Sequence, residues 1–420
     1  MTDSKIINPY EDVDFSSAGK YRFQLHTCHI SQITDNDYDF TAHEKIDALA
    51  GDGPDVAGTT LPERETLDIF GPSNNSLGPL LWPWDELSDI NSDWEDRDPE
   101  EVGGGVVNLP VDEQETGEHV MSMNTTIDDY EGHFEDKDRS ETIEEILTRD
   151  EFFLDDEQPL ATIAHPGRYR SSAEEYTEYI DDYETWSLED GLIGFECCSK
   201  ESGRRLDDNV DMQLWDNLLD EFLGRNEPRW IWGFSDDDGF PCEWGDEERT
   251  GRDGVRFNTM FLPESDFDPS NQEPSRLAFV DGLKNGIWVM HERDGSTTEM
   301  VENDEMPEVP EVSEISVSGD TITLDASGYD VIEWVSSGEV VGTGEYYTVG
   351  TSDVPYVRAQ LFSGEAADMT GTGDMGNGIG DAAETYTQPF AVDADGKGWS
   401  VTSPSIWSSE SGSRWTFEQS

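Results

Sequence analysis

Three imidazoles and two carboxylates stand just beyond short apolar runs in this chain: His26, Glu113, His119, His165 and Asp238. Runs such as residues 21–25, 161–164 and 230–234 have the length and character of buried strands. A ligand-type side chain at the carboxyl end of each of several parallel strands is how a β/α barrel assembles an active site. Imidazole and carboxylate together suit a hydrolytic zinc, manganese or iron centre. The competing reading of any one of these histidines is a structural role at a strand end.

The elements that must position these residues follow a regular order. Residues 1–306 alternate strand and helix signals. Residues 44–50 have helical spacing and 55–59 follow as a strand. Trp215, Leu218, Leu219, Phe222 and Leu223 form a helical stripe ahead of the strand at 230–234, and a helix at 275–285 precedes a strand at 286–291. Strand, helix, strand at these intervals predicts a parallel sheet with crossover helices. Residues 66–105, rich in Gly, Pro, Asn and acid, read as a surface insertion carrying Trp82, Trp84 and Trp94. Stretches 128–157 and 171–189 are acidic and read as helical or irregular surface. Residues 306–310, Met-Pro-Glu-Val-Pro, are a linker. Beyond it short alternating strands at 314–317, 321–325, 331–335, 345–349, 356–362 and 386–392 predict a small antiparallel β-sandwich over 311–395. The polar tail at 396–420 carries Trp399, Trp407, Trp415 and Phe417, which suit docking onto its own surface or a protein partner.

Charge narrows the function classes. The 420 residues include 25 Lys+Arg against 96 Asp+Glu, a formal net charge of -71 spread over the whole length. A disordered acidic chain would not carry 13 Trp, 13 Tyr and 18 Phe, so the reading is a folded protein adapted to high salt. At molar salt the Debye length shrinks to about 3 Å and self-repulsion largely disappears. Nucleic acid is excluded as a partner, because phosphate is repelled wherever no metal or Arg intervenes. The four Cys, with Cys197 and Cys198 adjacent, predict no disulfide scaffold. The N-terminus lacks the pattern of a signal peptide and no apolar stretch is long enough to span a bilayer, so a cytoplasmic protein, or part of a particle assembled there, is expected.

Residues 21–292 resemble the PHP family, the polymerase and histidinol phosphatase metallo-phosphoesterases. Residues 21–28, Tyr-Arg-Phe-Gln-Leu-His-Thr-Cys, resemble the family's opening strand with its His-x-His pair. Residues 55–62, Asp-Val-Ala-Gly-Thr-Thr-Leu-Pro, resemble the strand that normally ends Thr-Asp-His. Residues 109–119, with Glu113 and His119, are similar to the bridging glutamate and the histidine after it. Residues 160–168, Leu-Ala-Thr-Ile-Ala-His-Pro-Gly-Arg, carry the most specific match. Residues 191–196 and 232–238 resemble the last two strands. The family fold is a distorted (β/α)7 barrel, and residues 314–390 are similar to an immunoglobulin-like sandwich appended to some members.

The resemblance implies a metal set. One site would use His26, Cys28, Glu113 and Asp238, and a second Glu113, His119 and His165. Cys28 would be a thiolate ligand favouring zinc, or else a core thiol, with His29 the substitute in another register. The family's third site is degenerate, because its positions read Pro62, Phe240 and an unaligned acid, Asp35 or Asp37. Arg168 would contact phosphate, and Asp237 and Glu196 would orient ligands. The implied activity is hydrolysis of a small phosphoester at a dinuclear zinc centre, with manganese or iron as other metals. The alternative is a non-catalytic structural or interaction protein reusing a degenerate PHP domain, for example in a haloarchaeal virus particle.

Overall fold

The computed structural model describes residues 6–26, 65–70, 78–79, 105–111, 118–125, 137–150, 153, 158–164, 166, 173–199, 210–225, 228–236, 253–263, 272–296, 311–349, 354–363, 383–393, 399–402 and 416–419. The first strands are β1 (Ile6–Ile7), β2 (Ala18–His26), β3 (Glu65–Phe70), β4 (Gly78–Pro79), β5 (Gly105–Val111) and β6 (Glu118–Thr125). Helix α1 (Arg139–Thr148) follows, then β7 (Leu160–Ala164), α2 (Ile180–Thr185), β8 (Leu192–Ser199), α3 (Val210–Leu223) and β9 (Trp232–Asp236). The series continues with β10 (Asp253–Pro263), α4 (Gln272–Asn285) and β11 (Trp288–Ser296).

Strands β2, β3, β7, β8 and β9 run parallel, in the lateral order β3–β2–β9–β8–β7. Strand β6 continues this order antiparallel to β7, and β5 antiparallel to β6. Strand β3 also approaches β4 and β5, so the two ends of the series come close together. The local sequence accounts for these elements. All five residues of β7 are buried, as expected of a strand covered on both faces. Asp138 caps α1 through the Glu141 amide, and Glu141 returns the bond to the Asp138 amide. Helix α3 buries Met212, Trp215, Leu218, Leu219 and Phe222 along one side.

The second half contributes β12 (Glu314–Ser318), β13 (Thr321–Asp325), β14 (Val331–Ser336), β15 (Glu339–Thr343), β16 (Tyr346–Thr348), β17 (Tyr356–Phe362), β18 (Ala383–Thr387) and β19 (Phe390–Val392). Strands β12, β13 and β16 form a separate antiparallel sheet. The others join the first half directly: β18 pairs with β11, β17 with β18, and β1 at the amino end with β19. Hydrogen bonding therefore crosses the linker at 306–310.

Alternation along these shared strands divides their side chains between two cores. Met260, Leu262, Trp288, Met290, Tyr356 and Tyr386 pack with the helices and strands β7–β9. Phe261, Val289, Val357, Ala359 and Leu361 pack instead with Ile315, Ile322, Leu324 and Trp334. Successive residues of a strand point to opposite faces, so one sheet serves as the wall of both cores.

Three features differ from expectation. Residues 66–70, read as the start of an insertion, belong to β3, which pairs in parallel with β2 from Tyr21↔Glu65 to His26↔Phe70. The 11-residue strand β10 and strand β15 were not anticipated. The helix at 44–50 and the strand at 55–59 lie outside the described residues. So does the segment 403–415 with Trp407 and Trp415, although Trp399 and Phe417 fall in the hairpin of β20 (Trp399–Thr402) and β21 (Thr416–Gln419).

Candidate functional site

Strand direction brings the backbone of His26 and His119 to one end of the sheet. The carboxyl ends of β2, β3, β7, β8 and β9 lie together because these strands are parallel. The start of β6 and the end of β5 lie at that same end because each is antiparallel to its neighbour. His26 is the last residue of β2, and His119 is the second residue of β6. His119 is in register with Ala164, the residue before His165, and with Pro110 of β5. Leu25, just before His26, is in register with Asp236, just before Asp237 and Asp238. Glu113 falls in the connection 112–117, whose flanking residues Val111 and Glu118 pair directly.

Cys28, His29, Asp35, Asp37, Pro62, Glu113, His165, Arg168, Asp237, Asp238 and Phe240 lie outside the described residues, and His26 and His119 are described by backbone alone. Among the described residues no group of three or more His, Cys, Asp or Glu is placed to hold a metal ion. Glu196 is described in full. It is buried at 2% exposure, in β8, in register with Phe234. It shares a face with Thr162 and Gly194, whose strands are paired at those residues. Gly194 has no room for a side chain, because a Cβ there would run into the Phe234 ring.

Strand β9 is held in an unusual way. Main-chain pairing to β8 covers one of its edges. Along the other, the Gln388 amide accepts from the Gly233 N–H at 2.9 Å and donates to the Gly233 carbonyl at 2.8 Å. Two residues further on, the Asn258 amide accepts from the Ser235 N–H at 3.0 Å and donates to the Ser235 carbonyl at 2.8 Å. Each primary amide mimics one peptide group, which is why a buried Gln or Asn can replace a strand partner. The Ser235 hydroxyl donates to the His291 carbonyl, and the Trp230 indole donates to the Pro389 carbonyl. The Tyr10 hydroxyl donates to the Trp288 carbonyl and accepts from the Gln388 N–H, both at 2.8 Å, while burial pushes its pKa far up.

Further buried polar groups brace the fold. His291 is buried with Nε2 at 2.8 Å from the Thr259 hydroxyl and Nδ1 at 2.7 Å from the Thr385 hydroxyl. Cys197 is a free, buried thiol that donates to the Phe234 carbonyl. Arg358 of β17 makes two parallel bonds to Asp216 of α3, Nε to Oδ1 at 2.9 Å and Nη2 to Oδ2 at 2.8 Å. The Tyr356 hydroxyl donates to the same carboxylate at 2.8 Å. Burial alone would lower the Arg358 pKa, but the Asp216 charge and its hydrogen bonds outweigh it and the net shift is upward. Nearby, the Ser337 hydroxyl donates to Asp220 at 2.7 Å. The Asp220 carboxyl is raised above the ordinary aspartate range, by burial first and by repulsion from Asp216, against the Ser337 bond.

Comparison with protein-family models, with curated proteins and with solved structures returns no match. Among the described residues no helix is long and apolar enough to cross a membrane.

Proposed function

We propose that the chain is a salt-adapted, metal-dependent phosphoesterase of the PHP type, with a dinuclear centre at the carboxyl end of its parallel strands. The observation that supports this reading is the shared sheet end of β2, β5, β6, β7 and β9, where the backbone of His26 and His119 lies and next to which Glu113, His165 and Asp238 follow in the sequence. The series β3–β2–β9–β8–β7–β6–β5 agrees with a (β/α)7 barrel in strand number, with β6 departing from it by running antiparallel to both neighbours.

The donor set fits a pair of zinc ions: imidazoles, carboxylates and one thiol, with no amide in place of a required anion. His26, Cys28, Glu113 and Asp238 would hold one, and Glu113, His119 and His165 the other. Bound there, the pair would lower the pKa of water and neutralise charge on a phosphate. Arg168 would bind the substrate phosphate, and Asp237 and Glu196 would orient the ligands. The third family site is degenerate, because Pro62 and Phe240 offer no coordinating side chain. In molar salt with zinc or manganese, hydrolysis of an aryl phosphate is expected, and Glu113→Gln or His165→Ala is expected to abolish it. Turnover that survives both substitutions rules out the assignment. Salt adaptation predicts a melting temperature that falls as salt is lowered from molar to ~0.1 M, where the Debye length grows to ~10 Å; a flat profile opposes it.

A second reading, a non-catalytic cytoplasmic or virus-particle component, is favoured by the exposed Val340 and Val341 on β15 and Tyr346 on β16, the next strand in sequence. Metal binding without turnover, together with a symmetric multichain assembly in solution, would select it.

A further inference from the structure

We infer that Gln388, from the second half of the chain, and Asn258, from β10, are positioning residues that fix the strand leading to Asp237 and Asp238. The inference rests on the dinuclear reading above. Strand β9 meets β2 in register only at Leu25↔Asp236, at its very end. Upstream of that point its free edge is engaged by side chains alone at Gly233 and Ser235. A slip of β9 along its axis would break four hydrogen bonds to two fully buried amides. Leaving buried peptide groups unmatched costs about 1–3 kcal/mol each, so the amides fix the strand's axial position as well as its lateral one.

The clamp reaches across the linker. Gln388 lies between β18 and β19, and its own N–H is held by Tyr10 from the amino end. Asn258 lies in β10, in register with Phe23 of β2 and Met290 of β11. Glycine at 233 is also required at the sheet face, since a Cβ there would lie 2.8 Å from the Cys197 sulfur and from the Trp215 ring. Position 233 is thus fixed at its edge and at its face, five residues before Asp238. The structure therefore gives the appended sheet a task at the site: it supplies the amide that registers the strand leading to Asp237 and Asp238.

The test measures zinc stoichiometry and affinity by chelator competition in molar salt, with melting temperature alongside, for the full-length protein and three variants. Gln388→Met removes both bonds to Gly233. Gln388→Glu keeps the shape and, as the neutral acid that burial favours, both bonds. Arg358→Met loosens the same sheet from α3 without touching β9. The expected result is two zinc ions in the native protein, one of them bound about 10–100-fold more weakly in Gln388→Met, the loss typical of supporting residues around a metal site. Gln388→Glu is expected to recover affinity, and Arg358→Met to lose stability while keeping both affinities. Unchanged affinity in a folded Gln388→Met variant overturns the inference and leaves the dinuclear reading standing. A native protein that binds no zinc overturns both. If Gln388→Met does not fold, amide hydrogen exchange of the native protein decides: Gly233 and Ser235 must exchange only through global unfolding, and faster exchange overturns the clamp.

Discussion

Asp216 ties α3 to β17, because Arg358 and Tyr356 both bond to its carboxylate. Asp216→Ala would strand a guanidinium that is 1% exposed, and it should cost about 3–5 kcal/mol in a denaturant titration. A cost under 1 kcal/mol would mean that the pair is solvated. Asp220 behaves in the opposite sense. Its folded pKa is above the unfolded value, so the folded state binds more protons between the two and stability falls as pH rises through that window. Asp220→Asn keeps an acceptor for Ser337 and should raise the melting temperature at neutral pH, with the gain fading as pH drops below the ordinary aspartate pKa. A gain that persists in acid would contradict burial as the cause. Neither role was legible in the sequence, where these are two among 96 acids. Position in a helix that faces β17 distinguishes them, and no local pattern reports it. His291, to which the sequence assigns no role, is likewise explained only by distant Thr259 and Thr385.

Elements with strict periodicity were readable. Helix α3 and strands β7, β13 and β17 have the bounds that their apolar spacing suggests, to within a few residues. Strand β10 was not readable, because its second half is buried on both faces and includes the polar Asn258 and Thr259, so the alternation is lost. Strand β3 hides in an acid-rich stretch whose composition imitates a loop. The turn from α4 to β11 gives a prediction at this scale. Gly286 has φ +66° and closes the helix, with its N–H donating to the Leu283 carbonyl. A Cβ there would lie 2.6 Å from the Trp232 ring. Gly286→Ala should therefore cost more than the ~1–2 kcal/mol of left-handed backbone strain alone. A loss below 1 kcal/mol would show that Trp232 yields freely. By backbone register His26 and His119 lie at the same end of the sheet, with β9, β8 and β7 between their strands.

At the scale of the whole molecule, the change of pattern at 306–310 reads as a boundary between independent units, yet the sheet passes across it. The pairing of β1 with β19 joins segments near the two ends of the described chain, and that of β11 with β18 joins strands on either side of 306–310; neither leaves a trace in local composition. Residues 1–310 expressed alone lack Gln388, the β18 partner of β11 and the core contacts of Tyr356 and Tyr386. That fragment should show no cooperative thermal transition in molar salt, whereas adding residues 311–420 as a separate chain should restore one. A sharp transition for the fragment alone would mean that the two cores fold independently. The acidic surface belongs to the same scale: a net charge of -71 makes any site for phosphate depend on metal ions and a few arginines.

Element analysis of the purified, full-length protein in molar salt bears most directly on this account. About two equivalents of zinc, manganese or iron per chain are expected, falling toward one in Asp238→Ala and in His119→Ala, and lost with a chelator. A native protein without bound metal, unable to take any up from a supplied excess, would contradict the convergence of strand-end imidazoles and carboxylates on which the proposed activity depends.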